Sequence, residues 1–207
     1  MSDTGWGNGI KEKDMAHREA QRSDKRMRIL RVSAELFNQH GYYQTSLDQL
    51  ASELSVTKPT LYYYVKNKDD ILDGILSIAI DQLRSLIAET ADAETSGLEK
   101  LHTFFLRYSE IVTDVFGTCL ILMRINAPEE KFREPYHALS REVFAAVRGL
   151  IDAGIADGSI QPCNPKFMAS AMIASLNEAV YWHIAQGRKS PKETAEGYWQ
   201  AFASGLS

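Results

Sequence analysis

The chain has 207 residues, of which 44% are hydrophobic and 24% charged, a composition that fits a globular protein with a packed core in one large or two small domains. Two cysteines, Cys119 and Cys163, exclude a disulfide framework, and no apolar run approaches the roughly 20 residues that span a bilayer, so we expect a cytoplasmic protein without a membrane segment. The net charge of −4 is uneven: residues 1–68 hold 11 Lys and Arg against 8 Asp and Glu (+3), and the rest is acidic.

The first predicted helix follows a segment without apolar periodicity. Residues 1–22 are rich in charged and small residues, which indicates a flexible basic arm. Ser23 or Asp24 can cap a helix whose apolar residues recur at helical spacing as far as Phe37. Gly41 ends that helix in the left-handed conformation that glycine adopts easily.

Two short helices come next, and both have clear start signals. Ser46 and Gln49 form a capping box, and Pro59 lies in the first turn of the second short helix, where its missing N–H has no cost. The residues expected to hold the two helices together are Leu50, Ala51, Val56 and Leu61. A tight turn between two short helices, preceded by a supporting helix, is the helix-turn-helix arrangement, here over residues 45–64.

The second short helix presents polar and aromatic side chains away from that small core. Hydroxyls, a cation and phenol rings suit a DNA groove, because they bond base edges and phosphate oxygens. The residues predicted on this face are Thr57, Lys58, Pro59, Thr60, Tyr62 and Tyr63.

The segment "LFNQHGYYQTSLDQLASELSVTKPTLYYYVKNKDDIL" resembles the N-terminal domain of the tetracycline-repressor (TetR) family of bacterial transcription regulators, over roughly residues 24–85. The resemblance implies that Tyr62, Tyr63 and Tyr64 end the recognition helix and lie against the DNA backbone or the base of the domain. As an alternative to a DNA contact, one of Tyr62 and Tyr64 packs mainly in the core of the domain. Ser55 departs from the glycine that many members carry at the turn, which costs a little in the left-handed region.

The same resemblance implies further phosphate contacts. Lys68 matches the lysine that opens the fourth helix and contacts phosphate. Thr45 and Ser46 match the hydroxyls and the helix N-terminus that bind phosphate from the other side. Four cations of the arm, Arg18, Arg22, Lys25 and Arg26, are within possible electrostatic reach of DNA, although a solvated tail is the preferred interpretation.

The sequence of residues 69–207 predicts a helical domain. Start and stop signals predict helices from Asn67, from Ser96 through Phe116, across 118–126, from Pro128 or Glu129 to Gly158, from Asn164 and from Ser190. No strand signal is convincing, so we predict an all-α fold of about nine helices, with the arm at 1–22, the helix-turn-helix domain at 23–68 and the second domain at 69–207.

The resemblance implies that this second domain dimerises and binds a small molecule. The segment 165–186 is apolar almost all round, which predicts burial against a second surface as well as its own core. The predicted dimer interface, from this segment and the last helix, consists of Met172, Ile173, Leu176, Val180, Trp199 and Phe202. The predicted pocket, an aromatic cluster with two polar groups, consists of Phe104, Phe105, Tyr108, Met123, Tyr136, Phe144, Asn177, Glu178 and Tyr181, although aromatics at this spacing also fit a plain core.

We therefore expect a repressor that binds a palindromic DNA operator as a homodimer and is released by a small apolar or amphipathic effector. Residues 182–206 resemble the ends of family members tied to lipid or acyl-CoA catabolism, which favours an acyl-type metabolite. No cofactor, metal or enzymatic activity is expected. The alternatives are a di-iron metalloenzyme, for which Glu134 and His137 offer a single E-x-x-H, and a helix-turn-helix protein without an effector.

Overall fold

The computed structural model describes residues 6–186 and 190–204, except for the side chains of 6–14, 16, 125 and 182–186. Within these residues the fold is all-α, as predicted, and contains no strand. Its helices are α1 (Trp6–His40), α2 (Leu47–Glu53), α3 (Lys58–Tyr64), α4 (Lys68–Asp92), α5 (Gly97–Thr113), α6 (Val115–Asn126), α7 (Glu130–Asp157), α8 (Pro165–Gln186) and α9 (Pro191–Ala203).

The start of α1 differs from the prediction. The helix begins at Trp6, so residues 6–22 are helical and Ser23 and Asp24 lie inside the helix rather than capping it. This segment has no proline and many lysine, glutamate, arginine and alanine residues, which favour helix even without an apolar face. An exposed helix needs no apolar period, and the described side chains from Met15 to Lys25 are exposed. Residues 1–5 lie outside the described part of the chain.

The predicted caps are otherwise confirmed. Capping boxes open α2 at Ser46, α5 at Ser96 and α9 at Ser190. The Asn67 side chain accepts the Asp70 N–H at 2.8 Å at the start of α4. Gly41 and Gly158 take the left-handed conformation at the ends of α1 and α7, with φ of 86° and 78°.

The boundary between α5 and α6 lies earlier than predicted. Helix α5 ends at Thr113 instead of continuing to Phe116, and Asp114 accepts the Phe116 N–H to cap α6. The chain turns tightly here, because a Cβ on Gly117 would lie 1.9 Å from the Ile111 carbonyl oxygen. Only glycine permits that approach.

The chain forms two compact units, Met1–Gly74 and Ile75–Ser207. The predicted boundary after residue 68 lies at the first residue of α4, whereas the division into units falls inside α4. Phe37, Leu50 and Leu61 are fully buried in the first unit, and Leu101 and Ile151 in the second. No helix within the described residues is both long enough and apolar enough to cross a membrane.

Candidate nucleic-acid interface

Helices α2 and α3 are joined by a short turn with an unusual backbone. Ser55 has φ of 54°, the only positive value at a non-glycine position among the described residues. The Val56 N–H donates to the Ala51 carbonyl at 2.9 Å, which closes the turn. Leu50, Ala51 and Leu61 are buried as predicted, but Val56 is 36% exposed and does not fill the turn.

The outer face of α3 carries the predicted side chains. Thr57, Lys58, Pro59 and Thr60 are exposed, and the side chains of Tyr62 and Tyr63 are 52% and 64% exposed. Tyr64 is half-buried and its ring packs edge-on against Tyr63, with centroids 5.0 Å apart. Of the three consecutive tyrosines, Tyr64 is therefore the one that turns inward.

Contacts at the start of α3 fix the orientation of its polar groups. Thr57 caps the helix by accepting the Thr60 N–H at 3.3 Å, and the two hydroxyl oxygens lie 2.8 Å apart. The Lys58 ammonium forms an ion pair with Asp48 on α2 at 2.6 Å, and both side chains are more than half exposed. Exposed pairs of this kind contribute little, about 0–1 kcal/mol, so Lys58 is available to another anion.

The two hydroxyls at the start of α2 have different environments. Ser46 is exposed and its oxygen accepts the Gln49 N–H at 3.1 Å. Thr45 is only 2% exposed, and its hydroxyl donates inward to the Gly41 carbonyl at 3.0 Å. This burial removes the Thr45 hydroxyl from the expected phosphate contacts, while the exposed N-terminus of α2 stays in place.

Lys68 is half-buried rather than freely exposed. Its ammonium donates to the Thr45 carbonyl at 2.8 Å and lies 4.1 Å from the centroid of the Tyr42 ring. Burial lowers the pKa of Lys68, although the charge of Asp69 opposes the shift. Since an ammonium has three donors, Lys68 can support the start of α2 and still bond a phosphate oxygen.

An unpredicted cluster joins the end of α3 to α1 and α4. The Arg26 guanidinium donates to the Tyr64 carbonyl at 2.8 Å and to both carboxylate oxygens of Asp70, at 3.2 and 3.4 Å. The Asp70 carboxylate also accepts the Lys66 N–H at 2.9 Å. Burial disfavours the Asp70 carboxylate, but bonds from Arg26 and Lys66 outweigh it and lower its pKa. Arg26 therefore has a partner inside the domain, which its appearance in a basic arm did not reveal.

The second unit buries most of the predicted pocket residues. Phe104, Phe105, Tyr108, Met123 and Tyr136 are at most 9% exposed. Phe144 and Tyr181 are half-buried. Glu178 is exposed, so it is not a buried polar group as predicted; it lies on the outward side of α8.

A buried hydrogen bond crosses this unit. The Tyr108 hydroxyl donates to the Asn177 side-chain oxygen at 2.8 Å, and burial raises the pKa of Tyr108. The adjacent cavity has a volume of only about 10 Å³ and is lined by residues that include Leu101, Phe105 and Met172. That volume holds at most one water molecule, so an effector at this place would have to push the surrounding side chains apart.

Half of the predicted dimer residues are core residues of the single chain. Met172, Leu176 and Val180 are at most 2% exposed, so they do not form a free surface. Trp199 and Phe202 are half-buried and contact the Phe105 ring of the same chain, with centroids 5.8 and 5.9 Å away. Ile173 is half-buried. The prediction that α8 is apolar almost all round was correct, but the sides of the helix that face inward and outward were not distinguished.

The outward side of α8 carries different residues. Phe167 is 72% exposed, and Ala171, Ala174 and Glu178 are exposed as well. Their spacing of three and four residues places them on one side of the helix. Small side chains beside an exposed aromatic ring make this side suited to close contact with another helix.

The E-x-x-H segment does not assemble a metal site. Glu134 and His137 are both exposed, and Glu134 pairs with Arg141 at 3.4 Å. Within the part of the chain whose side chains are described, no three His, Cys, Asp or Glu side chains converge on a point where a metal ion would fit.

A helix-turn-helix with a polar, aromatic outer face, joined to a separate helical unit, defines the class of DNA-binding transcription regulators. The family model for "Bacterial regulatory proteins, tetR family" matches residues 29–75, and the one for "Tetracyclin repressor-like, C-terminal domain" matches residues 94–206. Because the second match alone covers more than half of the chain, the chain belongs to the TetR family of regulators.

Curated relatives are similar to this protein over most of its length, and a solved structure shares its fold. An uncharacterised HTH-type transcriptional regulator, YhgD of Bacillus subtilis, is 24% identical over 187 residues, 89% of this chain and 97% of that protein. The fatty acid metabolism regulator protein of the same organism is 21% identical, over 82% of this chain and 88% of its own length. A crystal structure of AibR with isovaleryl coenzyme A and operator DNA superposes with a TM-score of 0.70 at 20% identity, covering 84% of this chain and 95% of AibR.

Proposed function

We propose that this regulator is a repressor that binds a palindromic operator as a homodimer and leaves it when a small acyl-type molecule binds the second unit. The observation that carries the DNA-binding part is the outer face of α3, where Thr57, Lys58, Thr60, Tyr62 and Tyr63 are exposed together. Two adjacent exposed aromatic rings beside a cation and hydroxyls suit a binding surface, and phenols can pack on sugars while donating to phosphate.

The contacts divide into two kinds. We assign Lys58 and Thr60, near the start of α3, to contacts with base edges, because recognition helices enter the major groove with their N-terminal residues. Tyr62, Tyr63, Lys68 and the exposed N-terminus of α2 at Ser46 are assigned to the phosphate backbone. Asp48 holds Lys58 in the free protein and releases it when DNA competes for the ammonium.

The dimer is assigned to the outward side of α8. Phe167, Ala171 and Ala174 offer the small and aromatic surface that closely packed helices use. Ala174→Glu is expected to give monomers in sedimentation and to weaken operator binding, because two half-sites then bind independently. Lys166→Glu, an exposed change beside this surface, is the control. Should Ala174→Glu stay dimeric, the interface lies elsewhere.

The effector is assigned to the interior around Tyr108. The Tyr108–Asn177 pair supplies a hydroxyl and an amide within apolar surroundings, as a carbonyl-bearing acyl chain requires. The names of two similar proteins, a fatty acid metabolism regulator and AibR with isovaleryl coenzyme A, point to the same chemistry. At the cavity of about 10 Å³ beside Tyr108 a ligand would open the core, and we propose that it thereby favours a different conformation of the second unit.

The operator can be found by selecting duplexes from a random-sequence library with the purified protein. A pseudo-palindrome with half-sites about one helical turn apart is expected. Thr60→Ala should change the selected bases, whereas Lys68→Ala should weaken binding to every duplex alike and lower the salt slope by about one. Selection of no sequence over background would contradict the proposal.

The effector is tested with the selected operator. Isovaleryl, hexanoyl and palmitoyl coenzyme A, with free coenzyme A as the control, are screened for a rise in melting temperature and for release of the operator. A stabilising acyl compound that leaves the operator complex intact contradicts induction, because a ligand with equal affinity for both states shifts nothing. If no acyl compound binds, the protein is a regulator without this class of effector.

A further inference from the structure

We propose that helix α1 supplies a second DNA-contacting strip, centred on Arg22, beside the recognition helix. The strip consists of Arg18, Arg22, Lys25 and Arg28, all exposed on α1. The inference rests on the proposed DNA binding by α3 and extends the contact surface to an element that lies outside the helix-turn-helix.

The central contact is between Arg22 and Tyr63. The guanidinium carbon of Arg22 lies 5.3 Å from the centroid of the Tyr63 ring, within the range of a cation–π interaction. Tyr63 is 64% exposed on the outer face of α3. A guanidinium on a ring keeps its N–H groups free at its edge, where they can form a bidentate bond to phosphate. Arg22 is therefore held in continuity with the surface assigned to DNA.

The shape of the surface between α1 and α3 also supports a DNA contact by Arg22. A groove of about 510 Å³ runs between α1 and the end of α3, and its lining includes Arg22, Tyr62, Tyr63 and Lys66. Arg26 and Asp70 also line it but pair with each other. The two cations Arg22 and Lys66 then face one further carboxylate, Glu19, so the groove has an excess of positive charge.

A second groove lies next to the middle of α3. It has a volume of about 150 Å³, and Lys25 and Arg28 of α1 line it together with Thr60 and Tyr64. Cations of α1 thus border α3 both beside Tyr63 and beside Thr60. A duplex carries one negative charge per roughly 1.7 Å of its axis, so an α3 seated in a groove has phosphates on both sides. This match of charge and position selects DNA over an acidic protein as the occupant.

The helical length of α1 makes the assignment possible. Arg18, Arg22 and Lys25 are spaced by four and three residues, which places them on one side of a continuous helix. In a flexible arm these cations would sample many positions, and each would lose entropy on binding. In the helix the backbone that carries them is already ordered, and Arg31, nine residues after Arg22, lies on the opposite side.

The test measures binding to a 40-base-pair duplex of random sequence between 50 and 200 mM salt, which needs no knowledge of the operator. Arg22→Ala should weaken binding about fivefold and lower the salt slope by about 0.9, the amount for one phosphate contact. Arg22→Lys should keep most of the slope. The matched control is Arg31→Ala, which removes the same charge from an exposed position on the other side of α1 and should change the slope by less than half as much.

The outcomes separate this inference from the proposed function. Equal effects of Arg22→Ala and Arg31→Ala, with tight wild-type binding, overturn the α1 strip and leave DNA binding by α3 untouched. Absence of salt-dependent binding by the wild-type protein overturns the proposed function itself. Should Arg22→Ala lower the melting temperature, Arg22→Gln provides the same loss of charge with a longer side chain, and an unchanged slope in that variant overturns the strip.

Discussion

The two units of this regulator place their candidate functional side chains in opposite environments. In Met1–Gly74 the residues assigned to DNA are mostly exposed, and polar contacts within the unit hold them in position. In Ile75–Ser207 the predicted pocket residues are mostly buried, and Phe104, Phe105 and Tyr108 among them line a cavity of about 10 Å³. The first unit presents an exposed surface, whereas the cavity beside Tyr108 would have to widen before a ligand of acyl size could enter there.

This difference teaches how each unit can respond. A preformed surface gives binding without a cost of rearrangement, and under the proposed function its specificity would come from side chains such as Lys58 and Thr60. A closed core ties ligand binding to a change of conformation, since side chains in a packed interior move in steps rather than continuously. Substitutions that destabilise one unit and leave the other unchanged therefore test this difference between the units directly.

The largest effect is expected where two helices of the second unit touch through their backbones. A Cβ on Gly97 would lie 2.3 Å from the Gly154 nitrogen, and the Gly97 N–H donates to Asp157 at 2.7 Å. Gly97→Ala should therefore destabilise the second unit by about 3 kcal/mol, as overpacking against backbone does. Urea unfolding followed by circular dichroism measures the loss.

The matched control for that change is Gly149→Ala in α7. A Cβ on Gly149 would meet nothing within 4 Å, so alanine should stabilise the helix by roughly 0.5–1 kcal/mol. If both substitutions have the same sign, the close approach of α5 and α7 is not what makes Gly97 necessary.

An intermediate effect is expected for the buried hydrogen bond of the second unit. Tyr108→Phe removes the donor to Asn177 and leaves a buried amide oxygen without that partner, at a cost of about 1–3 kcal/mol. Adding Asn177→Leu should recover part of the loss, because both polar groups are then gone. The melting temperatures of the wild type, Tyr108→Phe, Asn177→Leu and the double variant check this. A double variant that is less stable by the sum of two separate losses would show that the pair does not interact.

The sequence predicted the starts of helices and the outward face of α3 better than the contacts between distant residues, for a physical reason. Local signals decide where helices begin and end, so the boxes at Ser46, Ser96 and Ser190 were found. The outward direction of α3 also follows from local periodicity around Leu61. Side chains that meet over long sequence distances, such as Arg26 and Asp70, leave no local signal.

The sides of α8 that face inward and outward were harder to predict, because this helix is apolar almost all round. Met172 and Ala174 lie two residues apart, and nothing in the composition of α8 shows that the first is buried and the second exposed. The start of α1 was missed because exposed helices have no apolar period. Thr45 was assigned to phosphate from its match to the family motif, yet its hydroxyl bonds inward to Gly41.

A smaller effect on folding stability is expected when the pH is lowered. The pKa of Asp70 is lowered in the folded protein, so its charge stabilises the fold above the unfolded pKa, about 4, and this contribution is lost as the pH falls through the lower folded value. Asp70→Asn should cost roughly 1 kcal/mol at pH 7, with the difference from wild type shrinking below about pH 4. Asp152→Asn, which breaks an exposed pair with Arg148 in the second unit, is the control and should cost less than half as much. A pH-independent difference for Asp70→Asn contradicts the role of its charge.

The smallest effect concerns the turn of the helix-turn-helix. Ser55 has φ of 54°, a left-handed conformation that costs a residue with a Cβ about 1–2 kcal/mol. Ser55→Gly relieves this strain but also increases the entropy of the unfolded chain by about 0.4–1 kcal/mol, so the net gain in stability should be about 0.5 kcal/mol. Ser55→Ala keeps the strain and removes only the hydroxyl, so it should be no more stable than wild type. Because the turn already has the shape that glycine prefers, the position of α3 should not change, and the affinity for DNA should be the same in all three proteins. Differential scanning calorimetry with a parallel binding titration checks both statements. A Ser55→Gly protein with altered DNA affinity would show instead that serine holds the turn in a shape of its own.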